Sequence, residues 1–243
     1  VLYPRRLLAQ QDTVRAVFAA APSQNEFLEA LCAAPDIDWK RVTAFHMDEY
    51  VGLDAAAPQG FGNFLRARVF DRLPFGQVCY LNGNAPDVEA ECSRYAGLLA
   101  QAPIDIVFMG IGENGHLAFN EPFSSLGSRT RVKSLTKDTI IANSRFFGHD
   151  VNLVPKTALT VGVATVMSAR EVLILAFGHN KARALAAGIE GGYSHQWTIS
   201  ALQVHPKGII VCDEDATDEL KVGTYKYFKD IEAKNLDPAS LGA

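Results

Sequence analysis

No stretch of this 243-residue chain is apolar enough to cross a bilayer. The best candidate, residues 157–169, stays uncharged for 13 residues and then meets Arg170 and Glu171. No basic start with an apolar run marks a secretory signal, and the first residue is Val1 rather than Met, so some N-terminal residues are expected to be missing. No block of five or more like charges occurs; 23 Lys and Arg face 27 Asp and Glu, for a net charge of −4. This even, mildly acidic balance argues against a nucleic-acid partner and against a polybasic membrane face. The four cysteines, Cys32, Cys79, Cys92 and Cys212, form no CxxC pair, which argues against a structural zinc site. They read as reduced, buried thiols of a cytoplasmic protein. No low-complexity linker or internal repeat divides the chain, so residues 1–243 are expected to form one domain. Hydrophobic residues are plentiful at 48%, enough for a sizeable core and too many for disorder.

Short β-branched runs alternate with longer amphipathic stretches. Strands are predicted at 13–19, 41–47, 104–109, 158–163, 172–177 and 208–212. Helices are predicted at 24–34, 61–73, 88–101, 180–189 and 217–227. Residues 104–109 (IDIVFM) are nearly all apolar, as expected of a strand covered on both faces. The alternation predicts an α/β fold: a three-layer, mainly parallel, Rossmann-like open sheet with helices on both faces. In such sheets a ligand site lies beyond the C-terminal strand ends. That rule selects the turn after Ala19, the segment after Met47 and the loop after Met109.

The segment after Met47 begins His46-Met47-Asp48-Glu49-Tyr50. Two acids beside a histidine read as a base, a metal-ligand set or a capped turn, with the capped turn the most frequent of these. No HxH or HExxH pattern supports a metal. The loop after Met109 contains a literal GxGxxG, from Gly110 through Gly112 to Gly115. A dinucleotide fingerprint would continue into a helix and meet an acid about twenty residues on. Here Asn120-Glu121-Pro122 stops a helix early, and the later region carries Arg129, Arg131 and Lys133. The loop therefore reads as one that presents His116 and Glu121 to a ligand. Arg145 and Lys181, with the turn Pro22-Ser23-Gln24-Asn25 opening a helix, read together as an anion site.

These residues together resemble the glucosamine-6-phosphate deaminase (isomerase) family. The resemblance rests on FHMDEYVGL at 45–53, YLNGNAPDVEAEC at 80–92 and GIGENGHLAFNEP at 110–122. It continues through SSLGSRTRVKSLT at 124–136, ANSRFF at 142–147 and HQWTISALQVHPKGIIVCDE at 195–214. It implies conversion of glucosamine 6-phosphate and water to fructose 6-phosphate and ammonia, with no metal and no organic cofactor. It implies that Asp48 is the base moving a proton between C2 and C1, that His116 opens the sugar ring, and that Glu121 and Asn114 orient the imidazole. Ser23, Gln24, Asn25, Gly112, Arg145 and Lys181 would bind the substrate and its phosphate. Ser124, Arg131, Lys133 and Tyr227 match a stretch that binds an allosteric effector in hexameric members, and a homo-oligomer is expected.

Two positions depart from the family. Asn114 stands where some members carry Asp before the Gly-His pair. The Gly-rich phosphate turn after the first strand is replaced by Ala19-Ala20-Ala21-Pro22-Ser23-Gln24-Asn25-Glu26. The second departure keeps two alternatives open, a galactosamine-type substrate and a non-catalytic sugar-phosphate sensor. A third, a 6-phosphogluconolactonase-like hydrolase, rests on the fold and the similar Gly-His loop those enzymes share with the family.

Overall fold

The computed structural model describes residues 2–236; Val1 and residues 237–243, which the single-domain reading included, lie outside them. Nine strands follow one another in the chain: β1 Val14–Phe18, β2 Val42–His46, β3 Asp48–Tyr50, β4 Gln77–Cys79, β5 Ile106–Gly110, β6 Arg131–Ser134, β7 Thr157–Thr160, β8 Glu171–Ala176 and β9 Gly208–Cys212. Six form a parallel sheet in the order β4-β2-β1-β5-β8-β9. The chain runs outward from β1 in one direction, through β2 to β4. It then returns to β5 on the other side and runs out through β8 to β9. The strand order thus reverses at β1 and β5, where a crevice opens beyond the carboxyl ends.

Alternation along these strands builds two cores. Val17, Phe45, Val107, Met109, Val172 and Ile174 face one way, packing with Cys92, Tyr95 and Leu99 of α4 (Val88–Ala100) and Val166 of α6 (Val163–Met167). Ala16, Phe18, Ile106, Phe108, Leu173 and Leu175 face the other way. They meet Leu7 and Leu8 of α1 (Leu2–Gln10), Leu28 and Leu31 of α2 (Asn25–Ala33) and Leu65 of α3 (Phe61–Leu65). A π-helical turn, Arg66–Phe70, prolongs α3 and buries Val69 and Phe70. Phe108 lies between Phe18 and Phe27, with ring centroids 5.3 and 4.9 Å away. Helix α4 begins where the Asp87 carboxylate accepts from the amides of Glu89 and Ala90.

Several elements differ from expectation. Residues 158–163 do not join the parallel sheet. Strand β7 lies in a second, antiparallel sheet between β3 and β6. It ends at Thr160 because the chain must pass tightly over Ser128: a Cβ on Gly162 would sit 2.2 Å from the Ser128 carbonyl oxygen. Residues 48–50 form β3, not a capped turn. The predicted helix at 217–227 is split into a 3-10 turn (Asp215–Thr217) and α8 (Val222–Ile231), followed by α9 (Ala233–Leu236). Helix α7 (Ala182–Glu190) starts after a 3-10 turn, His179–Lys181, and α5 (Lys137–Asn143) was not expected. All four cysteines are free; Cys79 and Cys92 are buried, Cys32 is half-buried and Cys212 is exposed, contrary to the expected burial. Among the described residues, no helix is long and apolar enough to cross a membrane.

Candidate active site

A cleft of about 1380 Å³ opens over the carboxyl ends of β1, β2, β5 and β8. Asp48, Asn114, His116, Ser23, Asn25, Gly112, Arg145 and Lys181 all line it. Four strand ends deliver all but Arg145, as the switch-point topology dictates; Arg145 comes from the 3-10 turn Ser144–Phe147 that follows Lys137–Asn143.

Asp48 is the first residue of β3 and pairs through its backbone with Thr160. Its side chain is only 7% exposed and has no hydrogen-bonding side-chain or backbone partner among the described residues. Burial, with the adjacent Glu49 charge second, pushes its pKa up to about 8. Glu49 does not line the cleft and closes the start of α3. Its carboxylate accepts from the amides of Tyr50 (2.9 Å), Phe61 (3.1 Å) and Gly62 (2.8 Å). His46 is fully buried behind it, and burial drives its pKa down to about 3. Its Nδ1 accepts from the Leu81 amide, 3.4 Å away. His46 is therefore a neutral structural group.

The loop after β5 is shaped by two glycines. A Cβ on Gly112 would lie 2.4–2.6 Å from the His116 ring, so the ring rests on bare backbone. Gly115 has φ +78°, and a Cβ there would strike Trp197 at 2.4 Å. These are the reasons for the GxGxxG pattern here; no helix follows it. The next turn, 117–120, is locked by buried Asn120. Its Nδ2 donates to the carbonyls of Leu117 and Val161, both at 2.8 Å, and its Oδ1 accepts from Arg131 at 2.9 Å. Thr160 adds a further tie, its Oγ1 accepting from the Phe119 amide at 3.0 Å.

This turn sets His116 against Glu121, Nδ1 to Oε2 at 3.3 Å. Glu121 does not line the cleft; it is 1% exposed and sits behind the imidazole. It also accepts from Asn114 Nδ2 (3.2 Å) and from the Thr136 amide (3.1 Å). Burial acts to raise its pKa, but the donors, His116 foremost, outweigh burial and hold it at about 2. Asn114 does not touch the His116 ring. Its amide fixes Glu121, and its Oδ1 accepts from the His116 backbone N–H at 3.3 Å.

At the cationic end, Arg145 is exposed above Phe146, its guanidinium 4.9 Å from the ring centroid. Lys181 is half-buried, and its pKa is lowered by burial first; Glu113 opposes this and Arg145 adds to it. Of the turn after β1, Ser23 and Asn25 line the cleft, whereas Gln24 is 1% exposed and tucked beside Gly110. Glu26 is exposed and does not line the cleft. Sequence reasoning missed Arg68, Phe64 and Trp197, which line the cleft as well. Arg68 lay inside a predicted helix with no motif to single it out; it sits on the π-helical turn, four residues after Phe64.

Ser124, Arg131 and Lys133 do not line the cleft. Ser124 is buried and its amide donates to the Glu121 carbonyl, and Arg131 braces Asn120. They stand behind the loop that carries His116. Lys133 is half-buried on β6, and Tyr227 is 60% exposed on α8. Among the described residues, no group of three or more His, Cys, Asp or Glu is placed to hold a metal ion.

The arrangement offers an unpaired, strongly basic carboxyl, an imidazole backed by a carboxylate, and cations for an anionic ligand. Known proteins match the chain that carries it. The family model for glucosamine-6-phosphate isomerases/6-phosphogluconolactonase matches residues 4–211. A glucosamine-6-phosphate deaminase of Phocaeicola vulgatus is 61% identical over 203 residues, covering 82% of this chain and 77% of that one. One of Bacteroides thetaiotaomicron is 58% identical over 208 residues, covering 84% and 77%. The solved structure of a monomeric glucosamine-6-phosphate deaminase superposes with a TM-score of 0.82 at 32% identity, covering 89% of this chain and 94% of that one. The 6-phosphogluconolactonase of Trypanosoma brucei, 19% identical with a TM-score of 0.67 over 90% and 94%, shares the fold. The chain is a member of the glucosamine-6-phosphate isomerase/6-phosphogluconolactonase family.

Proposed function

We propose that the protein is a glucosamine-6-phosphate deaminase. The observation that carries this reading is Asp48: a buried carboxyl, without a hydrogen-bond partner, on the wall of the cleft that also holds His116. Hydrolysis of a lactone has no use for such a base, whereas isomerisation of an amino sugar requires one.

His116 takes the proton of the C1 hydroxyl and delivers one to the ring oxygen, opening the pyranose to the aldehyde. Asp48, ionised beside the substrate's cationic C2 amino group, takes the proton from C2 while a proton of the ammonium passes to the C1 oxygen, giving an enolamine. It returns that proton to C1. The aldehyde carbon is thereby reduced and C2 oxidised to an imine. Water adds to C2, and the adduct releases ammonia and fructose 6-phosphate. Each step is a proton transfer, an addition of water, or a cleavage in which the ring oxygen or the amine leaves with the bonding pair and takes up a proton, so the sequence asks for no redox partner. Glu121, ionised and hydrogen-bonded, holds the imidazole through its Nδ1 side. Arg145 and Lys181 grip the phosphate, and this remote binding places C1 and C2 over Asp48.

The free cysteines support a cytoplasmic location as part of the same reading. A homo-oligomer is supported by α8, which leaves Val222, Tyr227 and Ile231 more than half exposed; sedimentation at a single-chain mass would refute it. The test of function is ammonia release from glucosamine 6-phosphate, with Asp48→Asn alongside. Release that disappears in the variant is expected. Release from galactosamine 6-phosphate alone, or hydrolysis of 6-phosphogluconolactone instead, would replace the reading.

A further inference from the structure

The turn after β1 carries no glycine, and the side chain of Gln24 is folded beneath it. Of that turn and the start of α2, Ser23 and Asn25 remain in the cleft. One more charged side chain joins them from another element. Arg68, on the π-helical turn, donates from Nε to Asn25 Oδ1 at 2.8 Å. Its guanidinium lies 3.8 Å from the centroid of the Phe64 ring, which holds the plane in place. It is half-buried and lines the cleft. Its neighbour Arg72 spends its charge on Glu29, Nη1 to Oε2 at 2.5 Å. Among the described residues Arg68 has no ion pair, and neither of its Nη groups has a hydrogen-bond partner.

Strand order places this cation. The turn 22–24 follows β1 and packs against the ends of β5 and β8, the side from which Lys181 comes. Arg68 packs against α2 from the opposite, β2 side. The first turn of α2 therefore has Lys181 on one flank and Arg68 on the other. A forked guanidinium with its stem hydrogen-bonded and its plane stacked is prepared for two parallel hydrogen bonds to an oxyanion.

We propose that Arg68 is a substrate-binding residue, gripping the phosphate monoester of the sugar substrate from the α3 side, with Asn25 as its positioning residue. The inference rests on the deaminase reading for the identity of the sugar, but not for the anion. The Arg68 fork supplies there what a turn without glycine, whose backbone is shielded by side chains, does not.

The experiment measures ammonia release from glucosamine 6-phosphate, and inorganic phosphate binding by calorimetry, for the wild type, Arg68→Gln, Arg68→Lys and Asn25→Ala. Arg68→Gln is expected to raise KM roughly ten- to a hundredfold with kcat within about threefold, the factor that one charged hydrogen-bonding partner carries. Phosphate affinity should fall in parallel. Arg68→Lys should recover part of it, since a point charge replaces a fork, and Asn25→Ala should raise KM by less than Arg68→Gln. Unchanged KM and unchanged phosphate affinity in Arg68→Gln would overturn the proposal, as would a loss confined to kcat. Asp48→Asn separates the two readings, because it should bind phosphate as the wild type does while releasing no ammonia. A wild type that releases no ammonia, yet loses phosphate binding on Arg68→Gln, would sink the deaminase reading and leave this one standing.

Discussion

Replacing Asp48 by Asn should abolish activity and stabilise the empty protein. The carboxyl ordinarily titrates at 3.8, and in the folded cleft burial and Glu49 raise it to about 8. At pH 7 the unfolded chain carries it ionised, while the fold holds it protonated. At about 1.4 kcal/mol per pH unit, the gap from 3.8 to 7 destabilises the fold by about 4 kcal/mol. Asparagine has nearly the same shape and carries no charge to desolvate, and Asp48 has no hydrogen bond to lose. The sign follows from a folded pKa above the unfolded one for an acid. The destabilisation is absent below pH 3.8, grows as pH rises toward 8, and is constant above that. Urea unfolding of both proteins without substrate, at pH 4, 7 and 9, reads the difference. Asp48→Asn should be more stable by under about 1 kcal/mol at pH 4 and by about 4 kcal/mol at pH 7, which is roughly a 10 °C rise in Tm for a chain of this size. Ammonia release should fall by roughly a thousandfold. A stability difference that does not change with pH, or a less stable variant, would refute the claim that Asp48 is held as a desolvated base.

Glu121 should behave in the opposite sense. Its pKa, held at about 2 against an ordinary 4.5, contributes about 3 kcal/mol that is complete above pH 4.5 and lost as pH falls through 2. Glu121→Gln should therefore cost roughly that much at pH 7 and progressively less in acid, read by urea unfolding. Gly112→Ala drives a methyl to within 2.6 Å of the His116 ring, and the displaced imidazole should lower kcat by roughly a hundredfold while Tm falls only a few degrees. Asn114→Asp puts a carboxylate where an amide now donates to Glu121, so a lost donor and a like charge should destabilise the fold by about 1–3 kcal/mol at pH 7; an unchanged urea midpoint refutes it. Phe108→Ala, removing a ring between Phe18 and Phe27, should cost about 3–5 kcal/mol in urea unfolding without a change in KM.

The parallel sheet was legible because β5 and β8 are buried on both faces and so read as uninterrupted apolar runs. Helix α4 was legible from Pro86 and Pro103 on either side of it, while its Asp87 cap emerged only in the structure. Strands β3, β4 and β6 were not, since DEY, QVC and RVKS are too short to show a strand pattern and gain their pairing only from the tertiary structure. The residue types at the site were legible where a motif is local, as in the loop from Gly110 to Glu121. What sequence could not deliver was action at a distance. Glu49 serves amides more than ten residues away, and Asn114 reaches Glu121 instead of the imidazole. Arg68 reaches the cleft from the π turn that prolongs α3, and nothing in residues 61–73 announces that turn. Gln24 was expected to face the ligand, but the turn that opens α2 rolls it inward.

Thr160 joins the two halves of the reaction. Its backbone is in register with Asp48 on one side and Arg131 on the other, and its hydroxyl holds the Phe119 amide just beyond His116. The base arrives from the half of the chain before the strand reversal, and the imidazole from the half after it. Strand β7, four residues long, works as a splint between them. The spacing of base and imidazole is consequently set by a strand register, which can hold or jump but cannot drift. A slip by one residue would turn Thr160 to the wrong face and uncouple both groups at once. Insertions in the surface segments around the cleft can reshape what it admits, while the length and register of this one short strand are not free to change.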